Sequence, residues 1–431
     1  MKIKLPIFCA VIGAMASVIF WLFLLAIKWG TELIWKIIPQ NYLHTSVYPL
    51  IVCTAGGLMI GIIRKAAGDY PEDMMTVFGK LKADKSYPYR KLPVLFICAL
   101  LPLIFGSSVG PEAGMVGIIV ALCCWAGDSM KVAKNESEYY SRMGAEVTLS
   151  VMFRSPLFGL LNVEDDVSET DKTADRQELA GSQKIILYCV AAGAAFGMFW
   201  LMNTLFGEVS EGFPTFDLVP AQRADYMLFV VYLICGIILG VFFERSEKIF
   251  ETVGHKLPPV IKEVMAGLIL GGVACVLPVI RFSGEEQMGI LIKDYASYAP
   301  LAMIGIAFLK IIMTNMCISL GLKGGHFFPL IFAAVCLGFG LSLMIFPQDI
   351  SHATYAAAIV AAGTLGASMK KPLAVSMLLL LCFPAKYLLW IVPSAALSAW
   401  IGRPFSDKTQ PKEVFESHSR REDNMIEGED K

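Results

Sequence analysis

The sequence predicts an all-α, polytopic membrane protein made of tilted, broken and partly spanning helices. Three observations carry that expectation. Of the 431 residues, 56% are hydrophobic and 17% charged, whereas a soluble domain carries about 25% charge, and mean hydropathy is +0.62. Apolar segments recur near 5–38, 47–63, 92–126, 146–163, 184–206, 226–243, 258–281, 299–322, 326–346, 354–382 and 386–402. Some exceed the ~20 residues of one perpendicular span and others fall short of it. Glycine and proline interrupt them at Gly106–Gly114, Gly159, Gly321–Pro329 and Pro372. Backbone breaks at membrane depth are tolerated only where protein buries them or water fills the site.

Each element follows in order. Met-Lys-Ile-Lys opens an apolar run to about Ile27. The run is long for a signal peptide and no small-x-small cleavage site follows, so it is expected to be a retained first helix. Residues 28–47 carry only Lys28 and Lys36, whereas seven basic residues lie between Arg64 and Lys91. The positive-inside rule places that basic loop and both termini in the cytoplasm of a cell-membrane protein. The segment 92–126 contains GSSVGPEAG at 106–114, and 146–163 runs into Glu164-Asp165-Asp166 and a polar loop, Ser168–Gln183. Residues 1–405 form the transmembrane domain, in halves of about 1–180 and 181–405. Residues 406–431 read as a solvated tail too short for a folded domain.

Several function classes find no support. A formal net charge of −1 gives no pull toward nucleic acid. The eleven cysteines lie almost all inside apolar runs without a CxxC, and the five histidines show no ligand spacing, so neither a metal site nor a cofactor is expected. Ser107 and Ser108 lack a partnered histidine, which leaves no nucleophile–base pair for an enzyme. No GxxxxGK[ST] loop is present to bind a driving nucleotide.

The breaks themselves carry chemistry. Gly110-Pro111 followed by Arg154-Ser155-Pro156-Leu157 is echoed by Gly324-Gly325-His326-Phe327-Phe328-Pro329 followed by Lys370-Lys371-Pro372-Leu373. Paired breaks in two halves point to a transport site at the repeat interface. A helix that starts at membrane depth presents free N–H groups and about +0.5 charge, which attracts an anion. Pro111 and Pro329 each suit the first turn of such a helix, where a missing N–H costs nothing.

The chain resembles the CLC family of chloride channels and proton-coupled chloride antiporters. The resemblance rests on GSSVGPEAG, on RSPLFGLLNVEDD at 154–166, on KGGHFFP at 323–329 preceded by LKIIMTNMCISLG, and on GDYP at 68–71. All four occur in the family's order, over roughly residues 45–405, with no room for the nucleotide-binding domains of larger relatives. The resemblance implies a homodimer of inverted-repeat subunits in the lipid bilayer, each with its own path for chloride or another small anion. It points to Ser107, Ser108, Val109, Gly110, Gly325, His326 and Phe327 as pore residues. Gly68 stands where the family has a pore serine. Tyr70 is a candidate replacement hydroxyl or an interface aromatic, and Phe405 matches the pore tyrosine.

Departures from the family pattern bear on mechanism. Proton-coupled members carry a glutamate immediately before Gly-Pro, and here that residue is Val109. Valine binds no proton, so a passive, channel-like anion path is expected. Glu112 lies three residues on, on the same helical face as Val109 by spacing. It is either a gating carboxylate moved by one turn, which keeps open a proton-coupled antiporter, or a cap on the helix start. Asp166 is the best match to the internal proton acceptor or a solvated loop start. His326 is a titrating group at the pore or a neutral, locally satisfied ring. Arg154, Lys370 and Lys371 draw anions to a vestibule or anchor helix ends.

Overall fold

The computed structural model describes residues 4–41, 45–84, 86–129, 134–160, 181–209, 214–217, 219, 221–294, 298–347 and 349–402. Among these there is no strand; the sole β-type contact is an isolated antiparallel bridge between Gly110 and Gly325. Phe405, Asp166 and the tail from 406 lie outside the described residues.

In chain order the helices are α1 (Lys4–Glu32), α2 (Tyr48–Ala67), α3 (Met74–Asp84), α4 (Leu92–Ile104), α5 (Glu112–Ser129), α6 (Lys134–Met152) and α7 (Gly181–Phe206). They are followed by α8 (Arg223–Lys256), α9 (Ile261–Val276), α10 (Glu285–Asp294), α11 (Pro300–Ser319), α12 (Phe327–Ile345), α13 (Ala353–Met369), α14 (Pro372–Leu379) and α15 (Leu388–Gly402). Residues 156–160 are also helical. The first helix outruns its apolar prediction through a π turn at Leu33–Ile37 and ends at Asn41. Helices α3 and α10 and the start of α6 are polar enough to escape a hydropathy reading.

Burial sorts the helices into layers. Among the described residues, seven helices are long and apolar enough to cross a membrane. In Glu112–Ser129 and Phe327–Ile345, 78% and 83% of the spanning window is buried; in Gln183–Phe206 and Arg223–Lys256 the values are 28% and 33%. So α5 and α12 are core helices, and α7 and α8 face outward. That outward face is apolar, with Trp200, Leu205, Met227, Val230 and Ile238 exposed, as lipid contact requires.

Small residues let the core helices approach. The Cα of Gly57 in α2 faces the Glu263 carbonyl in α9, and Gly267 faces Cys53. Gly236 and Gly240 of α8 lie against the Val360 and Thr364 carbonyls of α13. Lipid provides no hydrophobic drive between helices, so close van der Waals packing does the joining. Gly267→Leu is therefore expected to separate α2 from α9 and cost about 2 kcal/mol or more by overpacking, read as a lower unfolding midpoint in detergent.

The repeat read in the sequence has a counterpart in the turns. Both α4 and α11 end on a glycine in the left-handed region, Gly106 (φ +83°) and Gly321 (φ +99°). Each is closed by the same six-to-one hydrogen bond, Ser107 N–H to Pro102 C=O (2.9 Å) and Leu322 N–H to Cys317 C=O (2.8 Å). Ahead of the proline helices, Arg154 (φ +46°) and Lys370 (φ +58°) take matching left-handed conformations. The register differs from the proline pairing read in the sequence. Gly110 and Gly325 are the matched residues, Pro111 precedes α5, and Pro329 is the third residue of α12. Neither proline removes a needed donor there.

Candidate functional site

The two breaks meet in the core. Gly110 and Gly325 exchange hydrogen bonds, N–H to C=O, at 2.7 and 2.6 Å. A helix starts immediately after each of them. Met115 N–H bonds to the Pro111 carbonyl (3.1 Å) and Leu330 N–H to the His326 carbonyl (3.0 Å). The positive ends of α5 and α12 therefore lie side by side. A Cβ on Gly110 or Gly325 would overlap the Glu112 side chain as it stands and would have to displace it.

Glu112 occupies the space between the two helix starts. It is the first residue of α5 and is 3% exposed. Its Oε1 accepts a hydrogen bond from Phe328 N–H of α12 (3.1 Å). Among the described residues its buried Oε2 has no hydrogen-bond partner. A carboxylate of this chain thus sits where the helix ends would attract an anion.

Two cavities flank the bridge. One of about 580 Å³ is bordered by Glu112, Ala113, Val116 and residues 324–327, and it reaches Arg64 and Asp69 at the start of the basic loop. The other, of about 750 Å³, is bordered by Val109 and Pro111 together with Leu103, Phe282 and Glu285. Val109 and Glu112 therefore do not share a face, contrary to the spacing argument. Val109 precedes the helix, and its N–H bonds to the Ser107 carbonyl (2.9 Å), so helical periodicity does not apply to it. Its side chain, fully buried, packs on Gly324.

The other expected pore residues divide. His326 and Phe327 border the 580 Å³ cavity, and the His326 ring packs against Phe243 and Phe327 at centroid distances of 5.2 and 4.7 Å. Ser107 and Ser108 are buried and border neither cavity; the Ser108 hydroxyl pairs with Thr314 at 3.3 Å. Gly68 is a left-handed turn residue (φ +108°) after α2. Tyr70 is buried, and its hydroxyl accepts from the Lys91 ammonium at 3.3 Å. Lys370 pairs with Glu244 at 2.7 Å and borders neither cavity.

The structure also assembles charges that hydropathy did not single out. Arg64 donates to Glu263 Oε1 (2.5 Å) and to the Gly321 carbonyl (3.0 Å), and pairs with Asp69. Lys323 Nζ lies 2.9 Å from the second Asp69 oxygen. Lys310 is fully buried in α11 and donates to the carbonyls of Ile280 (3.0 Å) and Phe282 (2.6 Å). Phe282 N–H in turn bonds to Gly106 C=O (3.3 Å), so Lys310 ties the 280–282 turn to the first break. The LK-x-x-x-T stretch was the available signal, since it puts Lys310 and Thr314 one helical turn apart, both facing the core. Lys310→Met is expected to orphan those carbonyls and cost about 2 kcal/mol, seen as a lower midpoint in a thermal fluorescence assay.

Comparison with known proteins agrees with this architecture. The family model described as "Voltage gated chloride channel" matches residues 50–403. The voltage-gated ClC-type chloride channel ClcB of Shigella flexneri is 23% identical over 383 residues, 86% of each chain. ClcB of Escherichia coli O17:K52:H18 is 22% identical over 382 residues, again 86% of each. A slow cyanobacterial Cl−/H+ antiporter superposes with a TM-score of 0.72 at 15% identity, covering 95% of this chain and 100% of its own. A CLC-type fluoride/proton antiporter gives 0.72 at 17% identity, with 94% and 96% covered.

Proposed function

Since the chain belongs to the voltage-gated chloride channel family, we propose that it conducts chloride or a similar small anion across the cell membrane, passively, with Glu112 as its gate. The path runs from the cavity beside Arg64, past the starts of α5 and α12, to the cavity beside Val109. Backbone N–H groups and helix ends hold the anion without a fixed ammonium, so it can leave again. Each subunit of a homodimer carries one such path.

The observation that carries this reading is the split between Val109 and Glu112. Of the first break, only Val109 and Pro111 meet the 750 Å³ cavity, and neither can take up a proton. The Glu112 carboxylate meets the other cavity and holds a N–H group of α12. An anion reaches that N–H only after the carboxylate leaves. The gate thus opens to one side, and no carboxylate of the break hands protons to the other.

A second reading is proton-coupled exchange through Glu112. The unpartnered Oε2 favours it, because a buried carboxylate oxygen without a donor is a ready place for a proton. Purified protein in chloride-loaded liposomes separates the two. Efflux that needs valinomycin and moves no protons uphill supports the passive gate. Proton movement driven by the chloride gradient establishes exchange instead. In the same assay, Val109→Glu is expected to slow passive efflux by about tenfold, because a second carboxylate then stands on the opposite side of the bridge. An unchanged rate would separate Val109 from the path.

A further inference from the structure

We infer that Arg64 and Lys323 form an anion-receiving site at the mouth of the 580 Å³ cavity, and that Asp69 occupies it as a tethered competitor. The inference rests on that cavity being part of the anion path.

The geometry is that of a carboxylate held by two converging cations. One Asp69 oxygen meets Arg64 Nη2, and the other lies 2.9 Å from Lys323 Nζ. Arg64 is buried and Lys323 half-buried, whereas the occupant is exposed. Side-chain exposure is 7% for Arg64 and 25% for Lys323, but 68% for Asp69. Arg64 is immobilised from behind by Glu263 and the Gly321 carbonyl, both on Nη1. Its Nη2 is therefore the edge presented to the mouth. Lys323 belongs to the break that leads to α12, two residues before Gly325, so an ion received there is already beside the path. The other charged or titratable residues bordering the cavity are Lys262, Glu72, Asp73, Glu112, Glu247, Glu251, His255 and His326.

Asp69 follows the left-handed Gly68 on a turn outside α2. Among the described residues only the two cations hold its carboxylate, so it can swing into water and expose both donors. A free anion that arrives from the mouth then replaces it with the same two charge-assisted contacts. Asp69 sets how readily that happens. The carboxylate cancels the attraction that two cations in a low-dielectric cleft exert on arriving anions.

The test uses Asp69→Asn, an exposed change that leaves the Arg64–Glu263 pair intact. Lys323 acylation by a water-soluble acetylating reagent is followed by peptide mass spectrometry, in sodium chloride against sodium gluconate at equal ionic strength. Chloride is expected to slow Lys323 acylation about threefold or more in D69N, and much less in the wild type. In liposomes, D69N is expected to raise chloride flux about three- to tenfold at low ionic strength. The gap should close near 1 M salt, where the screening length is about 3 Å, and Asp69→Glu should restore the wild-type rate. Chloride that fails to protect Lys323 in D69N, or D69N flux equal to a conducting wild type, overturns the site. Protection in D69N alongside a wild type that conducts nothing overturns the proposed function and leaves the site standing.

Discussion

Glu112→Gln is expected to raise chloride flux by about tenfold or more. The carboxylate lies at the start of α12, with Oε1 on Phe328 N–H and Oε2 unpartnered. An anion entering that space meets a like charge at contact distance. Two unit charges ~4 Å apart repel by about 4 kcal/mol at an effective dielectric constant of 20, and tenfold in rate needs only about 1.4 kcal/mol. Glutamine keeps the volume and removes the charge. Valinomycin-dependent efflux from liposomes reads the change directly. Acidifying the side that meets the 580 Å³ cavity should raise wild-type flux more than E112Q flux, because Glu112 adds to the carboxylates of Asp69, Glu72, Asp73, Glu247 and Glu251 that acid neutralises there. If E112Q conducts no faster, Glu112 is a helix-start cap and nothing more. Its loss then shows only as about 0.3–1 kcal/mol of stability.

Arg64→Met is expected to destabilise the protein by about 3–5 kcal/mol, the cost of leaving a buried charge without its partner. Glu263 is 1% exposed and depends on Arg64 for one oxygen (2.5 Å). Its other oxygen accepts from Val260 N–H (2.7 Å) at the start of α9, where Val260 itself sits at φ +73°. The same guanidinium holds the Gly321 carbonyl (3.0 Å), so its removal also loosens the turn that opens the second break. The unfolding midpoint in detergent should fall steeply. Arg64→Met combined with Glu263→Leu should recover a large part of the loss, because a neutral pair leaves no unpaired charge. A single variant as stable as the wild type would mean that water reaches Glu263 and that the pair is not structural.

Hydropathy alone was enough to mark the broken helices, and for a local reason. Gly106, Pro111, Gly321 and Pro372 interrupt runs that are otherwise apolar, and such punctuation needs no partner to be read. The amphipathic helices α3 and α10 and the polar start of α6 escaped that reading. Half of each is polar, so hydropathy averages them with loops, and only packing shows which face is buried. The same limit applies at the site. Residues 106–114 and 321–329 stand out in the chain as two anion-attracting helix starts, while nothing in either stretch says which residue of one touches which residue of the other.

The sequence by itself determined the membrane class, the two helix breaks and the family resemblance, all of which depend on residue type and short-range order. Tertiary structure decided the rest. Val109 and Glu112 are three residues apart, yet the Gly110–Gly325 bridge passes between them and turns them toward different cavities. Arg64 with Asp69, Glu263, and Lys323 come from three separate segments and act together only because α2 and α9 pack at glycine distance and α11 ends beside them. Electrostatic interactions depend on distance through space and on burial, and neither quantity exists along the chain until it has folded.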